Sequence, residues 1–136
     1  MHFAARCLNL SAMTEPLALV FYEKLLPGQQ LINRLHDLGY RTQAVTNASL
    51  LENETQNSKP MLLVAEFPAN KLEIHKTLAS LKKNPATAHV PILAYTVEPT
   101  SAVQEKARAA GAKLIASEKG LLDQLPHLLE QVLQVD

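Results

Sequence analysis

The sequence has a single cysteine, no tryptophan, three phenylalanines and three tyrosines in 136 residues. Cys7 alone forms no internal disulfide, and without a second thiol there is no pair to hold zinc or an iron–sulfur cluster or to cycle as a dithiol. A reducing, cytoplasmic setting is the expectation. The rings are too few to build stacking platforms for bases or sugars. No apolar run approaches the ~20 residues of a membrane span, and residues 1–11 lack the basic start and continuous apolar stretch of a signal peptide. Thirteen Lys and Arg balance thirteen Asp and Glu, with no block of like charge along the chain. That argues against nucleic acid or anionic membrane as the main partner.

What is present is ample material for one core. Hydrophobic residues make up 47% of the chain, and a domain of this length buries roughly two-thirds of its unfolded surface. Residues 1–14 have no clear helical or strand period and read as a poorly ordered N-terminal extension. Residues 15–136 read as one folded domain.

From Leu17 the pattern becomes regular. Leu17–Tyr22 is a short continuous apolar run, the mark of a strand buried on both faces. Gln29–Leu38 follows as a helix, with Leu31, Ile32, Leu35 and Leu38 on one face and Gly39 at the C-cap position. Arg41–Thr46 is a less apolar strand suited to a sheet edge, and Asn47 or Ser49 caps a short polar helix. Met61–Ala65, ending at Glu66, is the most apolar strand and belongs at the centre. Lys71–Lys83 is helical, with Ile74, Leu78 and Leu81 on one face and lysines on the other. Ile92–Tyr95 is the next strand, ending at Thr96. Thr100 or Ser101 caps a helix striped by Val103, Ala107 and Ala110 before Gly111. Leu114–Ala116 is a fifth strand. The last helix carries Leu122, Leu125, Leu129, Val132 and Leu133 along one face, and Asp123 as its N-cap would put Pro126 in the first turn, where a missing N–H costs nothing.

Five strand-then-helix units in strict alternation specify an α/β fold with a parallel sheet. In such sheets function gathers beyond the carboxyl ends of the strands, here Tyr22-Glu23, Asn47, Glu66-Phe67, Thr96-Val97 and Ser117-Glu118.

The stretch Lys82-Lys83-Asn84-Pro85-Ala86-Thr87-Ala88-His89-Val90-Pro91-Ile92-Leu93-Ala94-Tyr95-Thr96 resembles the segment from third helix to fourth strand of response-regulator receiver domains. Leu38-Gly39-Tyr40, Lys59–Ala65 and Ala109-Ala110-Gly111-Ala112 resemble the end of their first helix, their third strand and the turn before their fifth. These segments agree in order and spacing over residues 17–134. The resemblance implies a flavodoxin-like three-layer αβα sandwich, a five-stranded parallel sheet of order 2-1-3-4-5 with five helices, and a role in two-component signal transduction or a phosphorelay.

It also implies a site. Receivers phosphorylate themselves with two acids ending the first strand that hold magnesium, an aspartate ending the third, Ser or Thr ending the fourth and Lys ending the fifth. In this sequence the acid pair falls on Phe21-Tyr22, or on Tyr22-Glu23 one residue later, so at most one carboxylate remains. The phosphoacceptor position is Glu66, one methylene longer than aspartate, and in-line transfer is sensitive to displacements of about an ångström. Thr96 keeps the hydroxyl. The lysine position is Glu118, with Lys119 reaching the pocket only if the strand bulges by one residue. The aromatic switch position is Ile115, and Phe67-Pro68-Ala69-Asn70 replaces the usual loop. The expectation is a degenerate receiver, or pseudo-receiver, without catalytic phosphotransfer, cofactor or resident metal. It would act through protein contacts or a homodimer over Ser101–Leu133, where Leu121 and Leu128 lie off the main helical stripe.

Two alternatives stay open. One is a phosphorylatable receiver with relocated groups: Glu23 for Mg2+, Glu66 as acceptor, Lys119 as cation. The other is a flavodoxin-like enzyme or cofactor carrier, for which the loop Glu23–Gly28 offers one glycine and no hydroxyl to cradle a phosphate. A third reading gathers Glu23, Glu66 and Glu118 as a carboxylate cluster round a cation. His2, His36, His75, His89 and His127 lie on separate elements and read as surface residues. Lys71, Lys76, Lys82 and Lys83 read as a solvated helix face.

Overall fold

The computed structural model describes residues 16–23, 25–68 and 72–133, so the expected N-terminal extension lies outside the described residues. Strands β1 (Leu17–Phe21), β2 (Arg41–Val45), β3 (Leu62–Glu66), β4 (Ile92–Thr96) and β5 (Leu114–Ser117) alternate with helices α1 (Leu25–Asp37), α2 (Ala48–Ser58), α3 (Leu72–Lys83) and α4 (Ser101–Ala109). The chain ends in α5 (Glu118–Asp123) and α6 (Leu125–Leu133). All strand pairs are parallel and the order is β2-β1-β3-β4-β5, with β3 central and β2 at an edge as its composition demands.

Residues alternate across the sheet and so divide the core in two. Leu19, Phe21, Leu63, Ala65, Ile92 and Ala94 face α2, α3 and α4, where they meet Leu51, Ile74, Leu78, Leu81, Val103 and Ala107. Ala18, Val20, Leu62, Val64, Leu93 and Tyr95 face α1, α5 and α6, meeting Leu31, Leu35, Leu121, Leu125, Leu129 and Val132. All three tyrosines lie in this second layer, Tyr22 and Tyr95 buried and Tyr40 half-buried against it.

Helix ends follow local chemistry. Asn47 Oδ1 accepts from Ser49 N–H and Thr100 Oγ1 from Val103 N–H, satisfying donors that the first turn leaves open. Gly39, at φ 91°, closes α1: its N–H bonds His36 O while Tyr40 N–H bonds Leu35 O, the Schellman pattern that needs a left-handed residue. Gly111, at φ 100°, does the same for α4, with Ala112 N–H on Ala107 O.

Three expectations are corrected. α1 begins at Leu25 rather than Gln29, so Gly28 is a helical residue and not part of a phosphate loop; a Cβ there would stand 2.5 Å from Tyr22 Cγ. There are six described helices rather than five, because the last helix is two. Pro126 has no N–H for the Leu122 carbonyl, and the helix breaks at Gln124 (φ −121°, ψ 26°) and resumes with Pro126 in its first turn. The N-cap ahead of that break is Ser117, not Asp123, with Ser117 Oγ accepting from Gly120 N–H at 2.9 Å.

Candidate functional site

The carboxyl ends of β1, β3, β4 and β5 come together at one rim of the sheet. Glu66, the last residue of β3, is 3% exposed and pairs in register with Tyr95. One oxygen of its carboxylate accepts the backbone N–H of Glu23, just past β1, at 2.9 Å. Charge-assisted bonds of this kind are about twice as strong as neutral ones, so the β1 and β3 ends are tied together through Glu66. Tyr22 lies beside this tie with its ring buried against Gly28. Glu23 keeps its side chain exposed.

Tyr95 is fully buried, and its hydroxyl is the one buried side-chain polar atom among the described residues without a hydrogen-bond partner. Burial pushes its pKa far above the ordinary tyrosine range, and the charges of Glu66 and Glu118, then Tyr22, push it further. The phenol therefore stays protonated, held in a negative field at the rim. A buried hydroxyl left unbonded costs free energy.

The remaining positions separate. Thr96 ends β4 at 7% exposure, paired with Ser117. Ile115 is half-buried and packs against the α2–α4 core. Phe21 is fully buried in that same core rather than lining a pocket. The β4–β5 register runs unbroken from Leu93↔Leu114 to Thr96↔Ser117, so no bulge moves the lysine inward: Glu118 is half-buried and Lys119 exposed. Among the described residues no three His, Cys, Asp or Glu side chains group to hold a metal ion, so Glu23, Glu66 and Glu118 do not form a three-carboxylate cluster. Leu121 is not a contact residue but fully buried core, and Leu128 is half-buried against it.

Two features escaped the sequence reading. His75 is no bystander: its ring stacks on Phe67 with centroids 4.1 Å apart and planes 3° from parallel, and its Nε2 donates to Pro68 O at 3.0 Å. That clamps the chain leaving β3. The only hint in the sequence is the eight-residue separation of Phe67 and His75. Lys82 is likewise not a solvated lysine; its Nζ donates to Ala88 O and Val90 O at 3.1 and 2.9 Å.

No family model matches the chain, and neither does any curated protein. Solved structures do. The chemotaxis protein CheY4 of Vibrio cholerae is 15% identical and superposes with TM-score 0.78 over 88% of this chain and 99% of its own. The receiver domain of a sensor histidine kinase from Pseudomonas aeruginosa is also 15% identical, with TM-score 0.78 over 88% and 98%. A response regulator protein from Burkholderia multivorans is 20% identical, with TM-score 0.66 over 86% and 97%. The fold is that of response-regulator receiver domains, with the sheet order and flavodoxin-like layering expected from the sequence.

The Pseudomonas domain has a magnesium ion coordinated in its active-site cleft. Magnesium asks for near-octahedral hard oxygen ligands. Here Phe21 and Tyr22 close the β1 end with buried rings, and Glu66 already takes the Glu23 N–H. The donor set does not fit that ion.

Proposed function

We propose that the chain is an atypical receiver of two-component-type signalling that works by protein–protein contact, over the region Ser101–Leu133, without conventional aspartate phosphorylation. The observation that carries this reading is the tie from Glu23 N–H to Glu66 Oε1, flanked by the Tyr22 ring packed on Gly28. Charge neutralisation by a metal and a cation is what phosphoryl transfer to a carboxylate requires. Tyr22 and Glu118 stand at the positions that would supply it.

The reading supposes a binding module, and the exposed face of α4, with Ala102, Glu105, Lys106 and Ala109, is one part of Ser101–Leu133 open to a partner. Titrating the protein with magnesium and beryllofluoride while following amide shifts tests it. The expected result is no change at Glu66 and Thr96. Saturable movement at both would instead establish the phosphorylatable alternative, with Thr96 as the retained hydroxyl.

A further inference from the structure

Charge is balanced over the chain but not over its surface. β4 and β5 are neighbours, so the α3–β4 and α4–β5 connections lie side by side at the amino edge of the sheet. They touch: Lys113 N–H donates to Ile92 O at 2.8 Å, and a Cβ on Gly111 would fall 2.1 Å from Lys82 Cγ. Residues 81–91 and 106–114 contain Lys82, Lys83, His89, Lys106, Arg108 and Lys113 and no Asp or Glu of their own; the carboxylates that face them are Glu52 of α2, whose oxygens accept from Ser80 and Asn84, and the adjoining Glu105. All of the basic residues but the half-buried Lys82 are exposed. The opposite, carboxyl edge holds Glu23, Glu66, Glu98 and Glu118, with Glu73 in the first turn of α3 and Lys119 as the described cation beside them.

Part of this polarity has an ordinary cause. Bases in the last turn of a helix complement its dipole, which accounts for Lys82, Lys83, Lys106 and Arg108. It does not account for Lys113 and His89, which lie outside the helices. Burial, and after it the charge of Lys113, lower the pKa of Lys82. Lys82 spends its donors on Ala88 O and Val90 O and so frames the loop that presents His89; its part is positional.

We propose that this amino edge is a docking surface for an acidic segment of a partner protein. The inference does not depend on the chemistry of the carboxyl-edge site; it shares Lys106, Arg108 and Lys113 with the Ser101–Leu133 contact region and adds the α3–β4 connection to it. The two connections contain no Phe, Tyr or Trp, so nothing there stacks bases. Their Leu81 and Val90 are buried and supply no apolar anchor for a bilayer. The patch is two connections wide, matched to a short acidic stretch; the glutamates of the other edge oppose a long polyanion.

The test is a set of amide-shift titrations of the full chain with an oligoglutamate peptide, duplex DNA and phosphatidylserine vesicles. The peptide should give saturable, salt-sensitive shifts at His89, Lys106, Arg108 and Lys113. Replacing Lys83→Gln, Lys106→Gln and Arg108→Gln together should weaken it about tenfold, while Glu98→Gln on the far edge leaves the affinity unchanged. Unaltered thermal unfolding of the triple variant excludes misfolding as the cause. Three results overturn the proposal: no saturable peptide shifts, equal affinity in the triple variant, or movement of the same amides by DNA or vesicles but not by peptide. The beryllofluoride titration reads the other edge, so the two readings fail separately.

Discussion

The two edges of the sheet are built to opposite standards. At the amino edge, around the α3–β4 connection, the polar groups named here have found partners. Thr87 Oγ1 donates to Leu81 O at 2.6 Å, Asn84 Oδ1 accepts from Ala86 N–H at 2.9 Å, and Lys82 holds two carbonyls. Asn84 and Ser80 also reach Glu52 on α2, linking two helices. At the carboxyl edge, Tyr95 keeps a buried hydroxyl unbonded in the field of Glu66 and Glu118, and the rings of Phe21 and Tyr22 are buried at the end of β1. The contrast teaches that the two edges of one sheet carry different duties: the connection holds the chain in place, while the rim leaves a buried polar atom unpaired.

The comparison can be broken experimentally, first at the well-satisfied edge. Gly111→Ala places a Cβ against the tethered stem of Lys82 at a positive φ. Strain of that kind and overpacking should together cost roughly 3 kcal/mol, read from urea unfolding; a loss below ~1 kcal/mol would show the connection to be slack. Glu66→Ala removes the acceptor for Glu23 N–H and should cost about 2 kcal/mol, with Glu66→Gln costing less because an acceptor oxygen remains. Thr87→Val strips a satisfied buried hydroxyl from its carbonyl and should cost about 1 kcal/mol.

Tyr95→Phe sharpens the contrast by sign. It removes a hydroxyl with no partner, so stability should be unchanged or rise by up to about 0.5 kcal/mol. It should also alter the alkaline limb. Tyr95 holds its proton more tightly when folded than when unfolded, so above about pH 10 the unfolded chain binds fewer protons and stability falls as pH rises. The fall should be shallower in Tyr95→Phe, as read from urea midpoints between pH 9 and 11. It should not vanish, because the pKa of Tyr40 is raised by burial too; Lys82, whose pKa is lowered, acts in the opposite direction. An equal slope in both proteins would place the titrating group elsewhere.

Most of the fold was legible because it rests on local rules. Apolar runs marked both-face-buried strands, and Gly39 and Gly111 marked helix ends that require positive φ. The receiver-like segment from Lys82 to Thr96 was legible as a pattern, and its reason emerged in three dimensions: Lys82, Asn84 and Thr87 each bond a different part of one turn. Less was legible where one residue decides between neighbours. Pro126 correctly demanded a first-turn position, but nothing local said that Ser117 would cap a separate helix before it. Leu121 looked off-stripe because the stripe was drawn through the break at Gln124. The site positions at Glu66, Thr96 and Glu118 could be counted from motifs. The orphaned hydroxyl of Tyr95, the Phe67–His75 stack and the basic edge could not, since each joins residues that only the crossovers bring together.

The distribution of tyrosines has an optical consequence. With no tryptophan, the intrinsic emission of the chain comes from Tyr22, Tyr40 and Tyr95, and all three belong to the layer under α1, α5 and α6. Tyrosine fluorescence therefore watches one half of the molecule and is blind to the other, whereas circular dichroism averages over both. Whether the two halves of this sandwich melt together is a question the protein's own chromophores are placed to answer.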